Sequence, residues 1–80
     1  MTRFPVLEGK VVAEILKTFG FFAERQRGSH LFMKHPDGRV TVVPLHAGEV
    51  IGPGLFAKIL RDVKLTRDDF LKDKKGKRKA

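Results

Sequence analysis

Apolar positions along this chain follow two periods, and the switches between them predict the order of its elements. Val11, Val12, Ile15, Leu16 and Phe19 recur at helical spacing, with Lys10, Glu14, Lys17 and Thr18 on the other side. Gly20 follows the last of them, and glycine accepts the left-handed conformation that closes a helix. Residues 21–27, 30–34 and 39–43 then read as three strands. Between the second and third stands His35-Pro36-Asp37-Gly38, whose Pro and Gly supply the dihedrals of a tight hairpin connection. Pro44 has no N–H for the ladder and ends the third strand. A loop carrying His46, Gly48 and Glu49 leads to Pro53, which suits the first turn of a second helix. That helix sets Leu55, Phe56, Ile59, Leu60 and Val63 on one side and Lys58, Arg61 and Asp62 toward water. Thr66 opens a short last turn, its hydroxyl placed to cap the N–H of Asp69, with Phe70 and Leu71 packing back.

Two helices whose apolar stripes need cover, with three tightly connected strands, predict a two-layer α+β domain. The expected architecture is a three-stranded antiparallel sheet with both helices on one face, in the order α-β-β-β-α plus the short helical turn. The other face is left open to solvent. Leu31, Phe32 and Met33 are all apolar, so periodicity does not choose the buried face; Phe32, Val40 and Val42 are taken as its members. His30 is then expected at the margin of the sheet, where Gly28 permits a bend or bulge.

Length and composition narrow the function classes. Eighty residues make one domain with a modest core. With no cysteine, disulfides, thiolate metal sites and a thiol nucleophile are excluded. No apolar run is long enough to span a membrane, and residues 1–7 lack a signal-peptide pattern, so a cytoplasmic protein is expected. The net charge is +8, with a pI near 10.3. Residues 72–80 hold six Lys/Arg and one acid, a net +5, and are expected to form a disordered basic tail beyond a domain spanning 1–71. The remaining +3 keeps the domain itself basic, so a polyanionic partner does not rest on the tail alone.

The candidate chemistry is Gly28-Ser29-His30, a turn that delivers one imidazole among Arg25, Arg27, Lys34 and Arg39. Histidine titrates near neutrality, and the cations attract a phosphodiester, which together suggest a small ribonuclease. Cleavage of RNA needs a base for the 2′-hydroxyl, charge stabilisation at phosphorus and a proton for the leaving 5′-oxygen. His30 suits general acid–base work, typically worth roughly 10²–10⁴ in rate. Arg25, Arg27, Lys34 and Arg39 are candidates for the phosphate oxygens, and Ser29 for orienting them. The sequence leaves open whether water or the 2′-hydroxyl attacks. His46 is read either as a complementary acid or phosphate contact, or as a histidine bonding loop backbone. His35, opening the hairpin turn, is expected to be structural. A zinc site on His30, His35 and His46 would need convergent ligands and an open position, and no metal or cofactor is expected. Phe21 and Phe22 are assigned to packing before base stacking.

The ordered set Arg27-Gly28-Ser29-His30, Lys34-His35-Pro36-Asp37-Gly38-Arg39, Val43-Pro44-Leu45-His46, Pro53-Gly54-Leu55, Leu65-Thr66 and Phe70-Leu71 resembles the HicA toxins of bacterial and archaeal toxin–antitoxin pairs. The resemblance runs from Gly9 to Leu71. It implies a double-stranded-RNA-binding-domain-like fold, cleavage of messenger RNA with arrest of translation and growth, and a HicB-like antitoxin covering the active site. It also implies that His30 of the Gly-Ser-His motif is catalytic. Many relatives have a second histidine directly after the motif, where this chain has Leu31, so two adjacent imidazoles do not share the chemistry here. Two other classes compete with this reading. A non-catalytic RNA-binding module of the same fold would want cations near the second helix's start, where Gly52-Pro53-Gly54 supplies none. An interaction protein working through its basic tail would lose function when residues 72–80 are deleted.

Overall fold

The computed structural model describes residues 7–74. In chain order they form β1 (Leu7–Glu8), α1 (Gly9–Thr18), β2 (Phe22–Arg27), β3 (His30–Lys34), β4 (Val40–Pro44), β5 (Val50–Ile51), α2 (Pro53–Val63) and α3 (Arg67–Lys74). The α+β architecture and the three-stranded antiparallel sheet, ordered β2-β3-β4, agree with the expectation from periodicity. A second sheet, in which β1 pairs with β5, has no sequence signature, because two-residue strands show no period.

Local chemistry explains where the elements stop. At the end of α1 the Gly20 N–H donates to the Lys17 carbonyl (3.0 Å) and the Phe21 N–H to the Leu16 carbonyl (3.1 Å). Gly20 has φ +98, so this is the paired closure that glycine favours. In the β3–β4 hairpin the Gly38 N–H donates to the His35 carbonyl at 2.8 Å, and the His35 N–H to the Arg39 carbonyl at 2.9 Å. Pro53 occupies the first turn of α2. Thr66 and Asp69 cap α3 reciprocally: the Asp69 N–H donates to Thr66 Oγ1 at 3.0 Å, and the Thr66 N–H to Asp69 Oδ2 at 3.2 Å. That helix runs through Lys74, past the boundary at residue 71 that charge alone suggests. The Leu71 side chain and residues 75–80, most of the basic run, lie outside the described residues.

The buried face differs from the expected one. Leu31, Met33, Thr41 and Val43 point into the core, while Val40 is 53% exposed and Phe32 and Val42 are only partly covered. Thr41 is the reason that the apolar pattern misleads. Its hydroxyl donates to Asp62 Oδ2 on α2 at 3.0 Å, which satisfies a polar group at an inward position. Both long helices pack against β4, and Val12, Leu16, Phe56, Ile59 and Val63 close over the inward residues. Phe70 of α3 completes the core, edge-on to Phe56 with ring centroids 5.2 Å apart. None of the helices among the described residues is long and apolar enough to cross a membrane.

Candidate nucleic-acid interface

The register of the sheet decides what surrounds His30. His30 is the first residue of β3, opposite Arg27 of β2 and Pro44 of β4. Directly opposed residues share a face, and alternate residues along a strand do too. His30 therefore joins Phe32 and Lys34 on the open face, within the ladder. The expected bulge at Gly28 is absent; the register shift lies between Ala23 and Arg25 instead. Gly28, with φ +60, forms the turn with Ser29 between the two strands, and glycine at the first central position is the chemistry of a type II′ hairpin.

This turn is held from three directions. Gln26 Nε2 donates to the Gly28 carbonyl at 2.9 Å, and the Leu45 N–H to the Ser29 carbonyl at 2.6 Å. Ser29 Oγ and His46 Nε2 lie 3.1 Å apart. In that last bond the hydroxyl donates when Nε2 is bare, and Nε2–H donates to the hydroxyl oxygen when it is protonated. A protonated His46 thus leaves the serine proton free for an anion. His30 and Arg27 are exposed and make no side-chain hydrogen bond or ion pair among the described residues. Arg25 lies over the Phe32 ring, 5.0 Å from its centroid, and Phe32 thereby serves as a platform on the open face. The period-2 set His30, Phe32, Lys34 is the sequence signal for this arrangement, and assigning Phe32 to the core obscures it.

The other candidate cations are elsewhere. Lys34 stands four residues along β3 from His30, about 13 Å away, and faces Glu24 at 3.9 Å. Arg39 lies at the far end of the hairpin, where its guanidinium holds Asp37 (2.9 Å), donates to the Val63 carbonyl at the end of α2 and covers the Phe21 ring. These bonds from the Arg39 side chain and backbone N–H hold the Asp37 carboxyl below its usual range. Arg39 is therefore engaged in joining the hairpin to α2, away from the His30 imidazole. His35 sits in that same turn, its ring edge-on to Phe21 at 5.0 Å and its Nδ1 3.1 Å from the Asp37 N–H, consistent with a structural role. His30 opens β3 and His35 follows its last residue, so the strand's length separates them, and no group of three or more metal-ligating side chains exists among the described residues.

What the fold assembles is an exposed, unpartnered imidazole with an arginine directly opposite, a second arginine two residues further along β2 and a serine–histidine pair in the adjoining turn. The joining of Ser29 to His46, 17 residues apart, has no local signal in the sequence. The family model described as "HicA toxin of bacterial toxin-antitoxin" matches residues 9–65. No curated protein matches the chain.

Proposed function

The chain belongs to the HicA toxin family of bacterial toxin–antitoxin pairs, and on that premise we propose that it is an endoribonuclease that cleaves messenger RNA and arrests translation and growth. The observation that carries this reading is the position of His30, open to solvent on a sheet face beside Arg27 and Arg25. His30 takes the proton of an RNA 2′-hydroxyl. The 2′-oxygen attacks phosphorus in line, the bond from phosphorus to the 5′-oxygen breaks, and His30 hands the same proton to the departing oxygen. The products are a 2′,3′-cyclic phosphate and a 5′-hydroxyl end. Arg27, Arg25 and the Ser29 hydroxyl stabilise the charge that develops on the non-bridging oxygens, a task for which no metal is needed. His46 holds Ser29 and, when protonated, releases its hydroxyl toward phosphate. Lys34 and Arg39 contribute, on this reading, to the general positive field.

A toxin of this kind must be kept silent, and we assign that task to an acidic HicB-like antitoxin in the cytoplasm. The open face offers it cations together with apolar surface, since Phe22, 46% exposed, and Val40, 53% exposed, flank Lys34 from the two neighbouring strands. An inert duplex-binding module has less support, because the exposed Gly52-Pro53-Gly54 start of α2 presents no cation. Induced expression of the wild type and of His30→Ala, followed by growth and total RNA integrity, tests the reading. Arrest and RNA decay with the wild type alone are expected. A His30→Ala protein that still stops growth and degrades RNA would overturn it.

A further inference from the structure

Resting on the nuclease reading above, we infer a second element of the same site: a subsite for one unpaired RNA base, whose hydrogen-bond edge is read by Glu49. Beside the serine–histidine pair lies a cavity of about 140 Å³, walled by Pro44, His46, Val50, Ile51 and Leu55 and edged by Glu49. Three observations point to a base as its occupant.

The first is reach. Pro44 is the strand partner of His30, so one wall of the cavity stands one strand spacing, roughly 5 Å, across the ladder from His30. That is the distance from a phosphate to its own nucleoside's base. The second is character. The walls are mainly apolar and include the pyrrolidine of Pro44 and the planar imidazole of His46, and the volume suits one heterocycle. Val50 is 52% exposed at the rim, an apolar surface left open where an RNA base can lie.

The third is charge. On a chain of net charge +8, a carboxylate at the edge of a cavity that adjoins a phosphate site weakens phosphate binding. Glu49 nevertheless stands there, exposed, with no ion-pair partner among the described residues. The Glu49 N–H donates to the His46 carbonyl at 3.1 Å, so one tight turn through Gly48 (φ +78) carries both polar groups to the cavity. A carboxylate only accepts hydrogen bonds. It pairs with two parallel donors on guanine, or with the single amino group of adenine or cytosine. Uracil offers one imino N–H flanked by two carbonyl oxygens, which the carboxylate repels. The subsite thus favours guanine, accepts adenine and cytosine, and disfavours uracil.

Binding without cleavage tests this directly. Fluorescein-labelled 2′-O-methyl hexamers, all uridine except for a central G, A, C or U, are titrated by anisotropy at low salt against wild type and Glu49→Ala. The wild type should bind the central-G hexamer about tenfold or more tighter than the all-uridine one. Glu49→Ala, altered at an exposed loop position, should lose that difference by binding the G hexamer more weakly. Uniformly tighter binding of all four hexamers by Glu49→Ala would mean that Glu49 is only a repelling charge, and would overturn the subsite. So would a ranking that the substitution leaves unchanged, or a wild type that treats all four alike. The assay reads no cleavage, so a nuclease-active His30→Ala protein would sink the catalytic assignment while leaving the base ranking standing.

Discussion

Gly9→Ala isolates the closest backbone approach in the fold. Gly9 opens α1 directly against β4, and a Cβ built on it would lie 1.8 Å from the Pro44 carbonyl oxygen and 3.5 Å from the Leu45 Cα. No rotamer relieves a clash with backbone, so helix and strand must part by more than about 1 Å. Overpacking of this kind costs about 1–3 kcal/mol, occasionally more. Against it stands the helix preference of alanine over glycine, at most about 1 kcal/mol. An approach of 1.8 Å to backbone belongs at the upper end of the first range, so the balance is a net loss of about 2 kcal/mol, which for a domain of this size lowers Tm by about 8–16 °C. The chain has no Trp or Tyr, so far-UV circular dichroism is the appropriate probe. Gly54→Ala is the matched control: it too sits in the first turn of a helix, but nothing lies within 4 Å of the place its methyl group would take. It should be neutral or stabilising by up to about 1 kcal/mol. The displacement also reaches the site, because Pro44 pairs with His30 and the Leu45 N–H is bonded to the Ser29 carbonyl. Gly9→Ala should therefore lose RNA cleavage at temperatures where it is still folded. An alanine variant as stable as the wild type would refute the close-approach argument.

Other perturbations probe separate parts of the molecule. Arg39→Met strips the Val63 carbonyl and the Asp37 carboxylate of the guanidinium they share and should cost about 1–3 kcal/mol in urea unfolding, while the folded protein loses RNA affinity only at low salt, through the field; unaltered stability with RNA binding weakened at high salt as well would return Arg39 to the interface. For Asp62 burial is the largest influence and raises its pKa, but hydrogen bonds from Lys58 and Thr41 outweigh it, so the folded value lies below 3.8. Its contribution to stability is full above 3.8 and is lost as pH falls through the lower folded value, so Asp62→Asn should flatten the acid limb of a Tm-against-pH curve. An unchanged limb would contradict this. Lys64 closes α2 with φ +58, and Lys64→Gly should raise stability by about 0.5–1 kcal/mol; a lower Tm would show that its side chain matters more than its backbone.

The elements themselves were legible because their causes are local. Helical spacing from Val11 to Phe19, Gly20 at the closure, the Pro-Asp-Gly hairpin and the Thr66–Asp69 cap each act within a few residues, and the structure bears them out. In the candidate site, the nearness of His30 to Arg25 and Arg27 was legible, since hairpin pairing follows from the turn. It was not legible in Arg39, which is as near in sequence as its neighbours but is claimed by the end of α2, 24 residues away.

The amino-acid order alone determined a basic, cysteine-free α+β domain, the succession of its two long helices, three longer strands and short last helix, and a histidine borne on a glycine–serine turn. Tertiary packing decided which side of the sheet is buried. A stretch such as Leu31-Phe32-Met33 is apolar on both faces, so only the Thr41–Asp62 bond to α2 and the helices lying on β4 break the tie. The same packing brought His46 to Ser29 and set Glu49 beside a cavity. Neither pairing has a period or a spacing, because chain closure over many residues is governed by what the whole core can bury.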